Sequence, residues 1–412
     1  MSVLAEMLQT IIDRRPRLRG PGARAETATP DLMAELVGAS GEVSGLRVAR
    51  ALLDRYGGLD DDGRRDFFRA MAAMNLDADG VRAALAAYED GPSRATYRAF
   101  ASAAEPPRQE VIRRLNAVPG ATAELVAMRA DLLRLGHGDP ALEALDLDFR
   151  HLFSSWFNRG FLVLKPVNWD TPARLLEKII AYEAVHDIDG WDDLRRRLAP
   201  ADRRCFAFFH PAMPDEPLIF VEVALVRGVP GSVQTLLAED RDALAADEAD
   251  TAVFYSISNC QAGLAGVSFG NSLIKTVAAD LAQELPGLKT FVTLSPIPGL
   301  ARWAEETGET LPADPDALRR VAARYLLTAK SGSRPRDPVA RFHLGNGALV
   351  HQVHAGADTS DKGMRQSGGA MVNYLYDLDR VSQNHERFAA TGEVIAAQPV
   401  KALAQSRAPS AA

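Results

Sequence analysis

Residues 254–303 read FYSISNCQAGLAGVSFGNSLIKTVAADLAQELPGLKTFVTLSPIPGLARW. A β-branched and aromatic run over 252–257 ends in polar Ser258 and Asn259, the pattern of a buried strand leaving its sheet. Gly263, Gly266 and Gly270 punctuate a turn. From Asn271 onward Leu273, Ile274, Val277, Ala278 and Leu281 recur at helical spacing until Pro286-Gly287, which predicts a helix starting near Gly270. A second strand over 289–294 then carries the chain to a proline loop. Strand, glycine turn, helix and strand make an α/β unit. A helix start approached through glycines presents free backbone N–H groups and partial positive charge, which suits a phosphate or pyrophosphate. Packing demands alone can also produce such a turn.

Ser295 stands at the end of the second strand, ahead of Pro296-Ile297-Pro298-Gly299. Two prolines fix φ and remove two donors, so the loop is stiff and holds the serine hydroxyl where the sheet opens. Ligands of open α/β sheets gather at such strand ends. Spacing alone nevertheless favours an ST-turn reading of this serine before proline.

The chain has 412 residues, more than one ordinary core, so two domains are expected. It is 47% hydrophobic and 25% charged, the composition of a soluble globular protein. A formal charge of −7 argues against a general nucleic-acid binder, and no stretch is long and apolar enough to suggest a membrane span. Cys205 and Cys260 are too few for a disulfide framework, so a reducing, cytoplasmic setting is expected. The amphipathic stretch 3–12 reads as an ordinary helix and not as a targeting peptide.

Up to about residue 160 the apolar residues follow helical spacing, over 32–53, 67–74, 81–88 and 123–135, with breaks at Gly57-Gly58, Gly91-Pro92, Pro106-Pro107 and 136–140. An antiparallel helical domain follows, offering a packing or oligomerisation surface. Beyond Phe161 the pattern changes. Strands are expected over 218–226, 251–257, 290–294, 348–353 and 370–376, with helices over 172–185 and 271–285. This mixture indicates an α/β or α+β domain over 161–405, following a helical domain over 1–160 and ending in a polar tail over 406–412, which makes the whole chain α+β in class if the helices stay segregated.

His343 falls between an expected helix and the strand near Ala348, in a loop carrying Gly345, Asn346 and Gly347. Loops on rigid scaffolds carry sites. A lone histidine is more often a hydrogen-bonded structural residue, so its functional reading requires that Ser295 converge on it. His351 and His354, three apart on a strand, point to opposite faces and do not make a metal pair. No metal site is expected.

Five segments then combine: HPAMPDEPLIFVEVAL, FYSISNCQAGLAGVSFGNSLIK, LSPIPGLARW, FHLGNGA and GGAMVNYLYDL. In this order and at these intervals they resemble the malonyl-CoA decarboxylase family over most of the chain after about Phe157. The resemblance implies a helical amino-terminal domain and a catalytic domain like that of the GNAT acyltransferases. It implies conversion of malonyl-CoA to acetyl-CoA and carbon dioxide, with no metal or organic prosthetic group, in a homo-oligomer such as a dimer or tetramer. By motif, the catalytic residues are Ser295 and His343. The CoA loop is Ala265, Gly266, Val267, Ser268, Phe269, Gly270 and Asn271, and Tyr376 joins these as a tyrosine of the same site. Gln261 to Gly266 does not fit the GNAT pyrophosphate pattern Q/R-x-x-G-x-G/A cleanly. An acyl-CoA-dependent acyltransferase and a non-catalytic malonyl-CoA sensor are the alternatives of other classes.

Overall fold

The computed structural model describes residues 27–39, 41–267 and 273–406. The expected helix over 3–12, Ser268–Asn271 of the glycine turn and the last six residues lie outside them. The chain forms two compact units. One takes the described residues through Phe161 together with Pro211–Pro214 and the turn from Gln261, and the other takes the rest.

In the first unit, helices run over Thr29–Gly38, Glu42–Gly57, Asp61–Ala72, Ala78–Asp90, Arg94–Ala103, Pro107–Asn116, Ala121–Leu135 and Pro140–Trp156. Their starts are written in local chemistry. Asp60 accepts from the Gly63 N–H at 2.9 Å, Asp139 caps a helix that opens on Pro140, and Ser93 with Thr96 forms a reciprocal capping box. The single helix expected over 32–53 is two helices, because Gly38 and Gly41 interrupt it. Leu52, Phe68, Ile112, Leu125, Phe149 and Phe153 fill the core of the bundle.

Part of the glycine turn belongs to this unit. Gly263 sits so close to the Ala121–Leu135 helix that a Cβ there would lie 1.8 Å from the Val126 carbonyl oxygen. Arg129, 1% exposed, donates to the carbonyls of Gly263 at 2.7 Å and Ala265 at 2.9 Å and pairs with Asp146 at 2.7 Å. Gly266 has φ +73°, and among the described residues a Cβ there would come no closer than 4.0 Å to any group beyond its chain neighbours, so backbone conformation calls for glycine there.

The second unit is built on an eight-stranded sheet in the order β1-β2-β3-β4-β5-β10-β6, with β9 on β10. The strands are β1 (Val163–Val167), β2 (Arg203–His210), β3 (Met213–Val226), β4 (Thr251–Asn259), β5 (Thr290–Thr293), β6 (Ser295–Pro296), β9 (Leu349–His354) and β10 (Met371–Leu375); β7 (Lys330–Ser331) and β8 (Arg334–Pro335) form a separate ribbon. All five expected strands are present within a few residues at their ends. β1 and β2 were not expected. β1 reads VLKPV, whose lysine and proline mask a strand, and it survives as an edge paired only with β2.

β4 and β5 run parallel, joined through the Leu273–Glu284 helix. Their pairing spans Thr251↔Thr290 to Phe254↔Thr293 and ends with the Leu294 N–H on the Phe254 carbonyl at 3.0 Å. Beyond that bond β4 continues to Asn259, whereas Ser295 and Pro296 leave it and pair with Val372 and Met371 of β10. The sheet opens between them.

Arg129 is buried and ion-paired, so removing its charge strands the Asp146 carboxylate and two carbonyls. Arg129→Met is expected to lower unfolding stability by about 3 kcal/mol. Denaturant titration measures this, and a loss below about 0.5 kcal/mol, the range of an ordinary surface substitution, contradicts it.

Candidate active site

Ser295 and His343, 48 positions apart, meet inside the second unit: Ser295 Oγ lies 3.1 Å from His343 Nε2. Both are buried, at 5% and 3% exposure. The expected loop placement of His343 is corrected here, and Ser295 is buried with it. Asp337 accepts from the Ala340 N–H at 2.9 Å and Pro338 occupies the first turn, so a helix spans Pro338–Gly345 and His343 sits in its last turn. Ser295 is held by the β6–β10 pairing.

Around the pair the hydrogen bonds form a continuous row. Ser295 Oγ donates to Thr293 Oγ1 at 2.8 Å. On the far side of the imidazole, Nδ1 lies 2.9 Å from the Tyr376 hydroxyl, and the ring stacks on Tyr374 with centroids 4.6 Å apart and planes at 23°. Tyr374 and Tyr376 are two apart on and just past β10, so strand alternation turns both to the same face. The sequence groups Tyr376 with the CoA-binding residues. The Tyr376 ring is buried, and its hydroxyl is the group that meets His343.

The pair opens on a cavity of about 240 Å³ lined by Val185, Phe254, Tyr255, Ile257, Asn259, Ser295, Pro296, Pro338, Val339, Phe342 and His343. It lies where β4 and β6 part. None of these residues carries a formal charge at neutral pH when His343 is neutral. Burial pushes the His343 imidazole down from 6.5 to about 3, so it is neutral under ordinary conditions. The same burial holds the Tyr376 and Tyr374 hydroxyls well above the usual tyrosine range. Both phenols therefore keep their protons.

Thr293 and Tyr374 were not singled out from the sequence. Thr293 lies two residues before Ser295, the strand spacing that shares a face, and this is the signal that could have found it. His354, discounted as a metal ligand, contacts Asn373 Oδ1 through Nε2 at 2.5 Å, and Asn373 Nδ2 holds the Thr293 carbonyl at 2.8 Å. Among the described residues no cluster of His, Cys, Asp and Glu has the arrangement of a metal site. Of the expected CoA loop, Ala265, Gly266 and Val267 are described, in the turn that Arg129 braces.

The sequence matches the malonyl-CoA decarboxylase C-terminal domain over residues 160–315 and 303–412, and the malonyl-CoA decarboxylase N-terminal domain over residues 75–157. The chain belongs to the malonyl-CoA decarboxylase family. It is 33% identical over 348 residues to the mitochondrial malonyl-CoA decarboxylase of Anser anser anser, covering 72% of this chain and 69% of that one. The mitochondrial malonyl-CoA decarboxylase of Rattus norvegicus is 33% identical over 347 residues, with 70% and 69% coverage. Among solved structures, malonyl-CoA decarboxylase from Rhodopseudomonas palustris superposes with a TM-score of 0.86 at 47% identity, covering 91% of this chain and 98% of that one. The Agrobacterium vitis malonyl-CoA decarboxylase gives 0.86 at 48% identity, covering 92% and 100%. This family member is thus a carboxy-lyase with a helical region followed by a mixed sheet domain.

A neutral, buried imidazole predicts a measurable absence of titration. The unfolded chain's His343 takes a proton near 6.5 and the folded one resists until about 3. Below 6.5 the unfolded state therefore binds more protons, and this group's contribution to stability is lost as pH falls through that window. Nitrogen-15 NMR of labelled histidine should find the His343 ring uncharged from pH 5 to 8. A titration centred near 6.5 contradicts the burial argument.

Proposed function

We propose that Ser295 and His343 carry the decarboxylation of malonyl-CoA to acetyl-CoA in this chain, and that the acyl end reacts in the cavity at the sheet opening. The observation that carries the reading is the 3.1 Å contact between two side chains that the sequence keeps 48 positions apart, at the mouth of an uncharged cavity. Pockets that hold whole drug-sized ligands run from about 300 to 1,000 Å³. A 240 Å³ cavity fits an acyl end and not an entire nucleotide thioester.

The reaction breaks the bond between the malonyl carboxylate and C2. Its electron pair moves onto the thioester as an enolate, carbon dioxide leaves, and C2 then takes one proton from solvent overall. The thioester is its own electron sink, so the reading calls for no metal or prosthetic group. Apolar walls disfavour the carboxylate relative to uncharged carbon dioxide. The enolate oxygen needs a donor. A buried imidazole that resists a second proton is a poor base, and giving up its only N–H would leave an imidazolate. His343 accordingly acts as a neutral hydrogen-bond donor to the thioester oxygen, a role in which one donor is typically worth about 2.7–4 kcal/mol. Ser295 holds the imidazole in place, and the proton that C2 takes comes from solvent.

The CoA phosphates are assigned to the turn 265–271, where small residues permit close backbone approach. A homo-oligomer, with dimer and tetramer the leading sizes, is assigned to the helical unit. It is supported by the hairpin of Ala78–Asp90 and Arg94–Ala103, which buries no residue and groups Tyr88, Tyr97 and Phe100, with Leu85 also exposed. Cys205 and Cys260, both buried and unpaired, support a reducing, cytoplasmic setting.

Incubation of purified protein with malonyl-CoA alone should yield acetyl-CoA and carbon dioxide in equal amounts. Ser295→Ala and His343→Gln should each lower kcat by about 10²–10³ with the folded state retained by circular dichroism. Full turnover in either variant, or carbon dioxide release only when an acyl acceptor is added, defeats the reading. For the assembly, light scattering should give a mass above one 44.5 kDa chain. A single-chain mass at every dilution rejects it.

A further inference from the structure

We propose that Thr293 is a positioning residue for this reaction: its hydroxyl accepts the hydrogen bond from Ser295 and so makes His343 carry its own proton on Nε2, the nitrogen that faces the cavity. The inference rests on the decarboxylase reading and adds a residue to it.

A serine hydroxyl has one hydrogen, and Ser295 spends it on Thr293 Oγ1 at 2.8 Å. Towards His343 the same oxygen then offers only a lone pair, so the 3.1 Å contact to Nε2 requires the hydrogen to come from the ring. A neutral imidazole has one N–H. Nδ1 is therefore bare and accepts from the Tyr376 hydroxyl at 2.9 Å. Each contact in the row then has one donor and one acceptor, and the Nε2 hydrogen that rests on Ser295 is the one the thioester oxygen shares when substrate is bound.

Thr293 is itself fixed. Between the β5–β10 pair Val292↔Leu375 and the β6–β10 pair Ser295↔Val372, side chains replace backbone ladder bonds. The Tyr374 N–H donates to Thr293 Oγ1 at 3.1 Å, and Asn373 Nδ2 donates to the Thr293 carbonyl at 2.8 Å. The threonine is fully buried, and its oxygen is held as an acceptor facing Ser295. Without that acceptor Ser295 could turn its hydrogen to Nε2. The ring proton would then move to Nδ1, and a lone pair would face the charge that develops on the thioester oxygen.

Nitrogen-15 NMR of the histidine-labelled full chain, with His343 assigned by its absence in His343→Gln, reads the tautomer directly. The wild type should be Nε2-protonated. Thr293→Val, which keeps the branched shape, should populate the Nδ1-protonated form and lower kcat about 10- to 100-fold with KM within about 2-fold, part of the loss expected for a missing oxyanion donor. Thr293→Ser, which keeps the hydroxyl, should recover kcat to within about 3-fold of wild type. An Nδ1-protonated wild type overturns the proposal whether or not any variant folds. Unimpaired kcat in Thr293→Val, or an equal loss in the serine and valine variants, also overturns it. Absence of carbon dioxide release by the wild type would instead strike the decarboxylase reading, and the tautomer measurement would stand apart from it.

Discussion

The hydrogen bond from the Leu294 N–H to the Phe254 carbonyl is the last that joins β4 to the strand beside it. One residue later the chain changes partners, and β10 takes Ser295 and Pro296 into its own ladder. A continuous sheet would leave no room at that place, since neighbouring strands lie about 4.8 Å apart. Parting them creates a cavity walled by strand and helix side chains, with the serine on one wall. Pro296 and Pro298 help hold the parting open, because neither can donate to a strand that might close it.

The histidine reaches this opening from a different part of the chain, and its position is over-determined. Asp337 fixes where its helix starts, Tyr374 stacks on the ring face, and Tyr376 meets Nδ1. Groups fixed in this way need little rearrangement as charge develops on a substrate, and this preorganisation gives a single hydrogen bond its catalytic weight. Burial has a second consequence. It removes the imidazolium from the accessible states and leaves a neutral donor where an exposed histidine would titrate.

Much of this was legible in the residues. The helix after the glycine turn and the strand leading to Ser295 follow from spacing, and the segments around SPIPG and FHLGNGA pointed to two residues that the structure brings together. The convergence of Ser295 on His343 could not be read, since it depends on β10 crossing from β5 to β6. The helix through His343 was missed because Gly345 and Gly347 suggest a loop, while the Asp337-Pro338 start that sets it lies six residues upstream. Thr293 was hidden for another reason: a threonine in a strand is the most ordinary of residues, and the two hydrogen bonds that its Oγ1 accepts distinguish it.

The central claim is that the thioester oxygen meets a neutral His343 beside Ser295 at the parted strands. A crystal structure of the full chain with a malonyl-CoA analogue that keeps the thioester oxygen but bears a sulfonate in place of the departing carboxylate tests it most directly. The account predicts that oxygen within hydrogen-bond distance of His343 Nε2, with the acyl chain between Ile257 and Pro296. An acyl end bound elsewhere, or with its thioester oxygen turned away from His343, would contradict it.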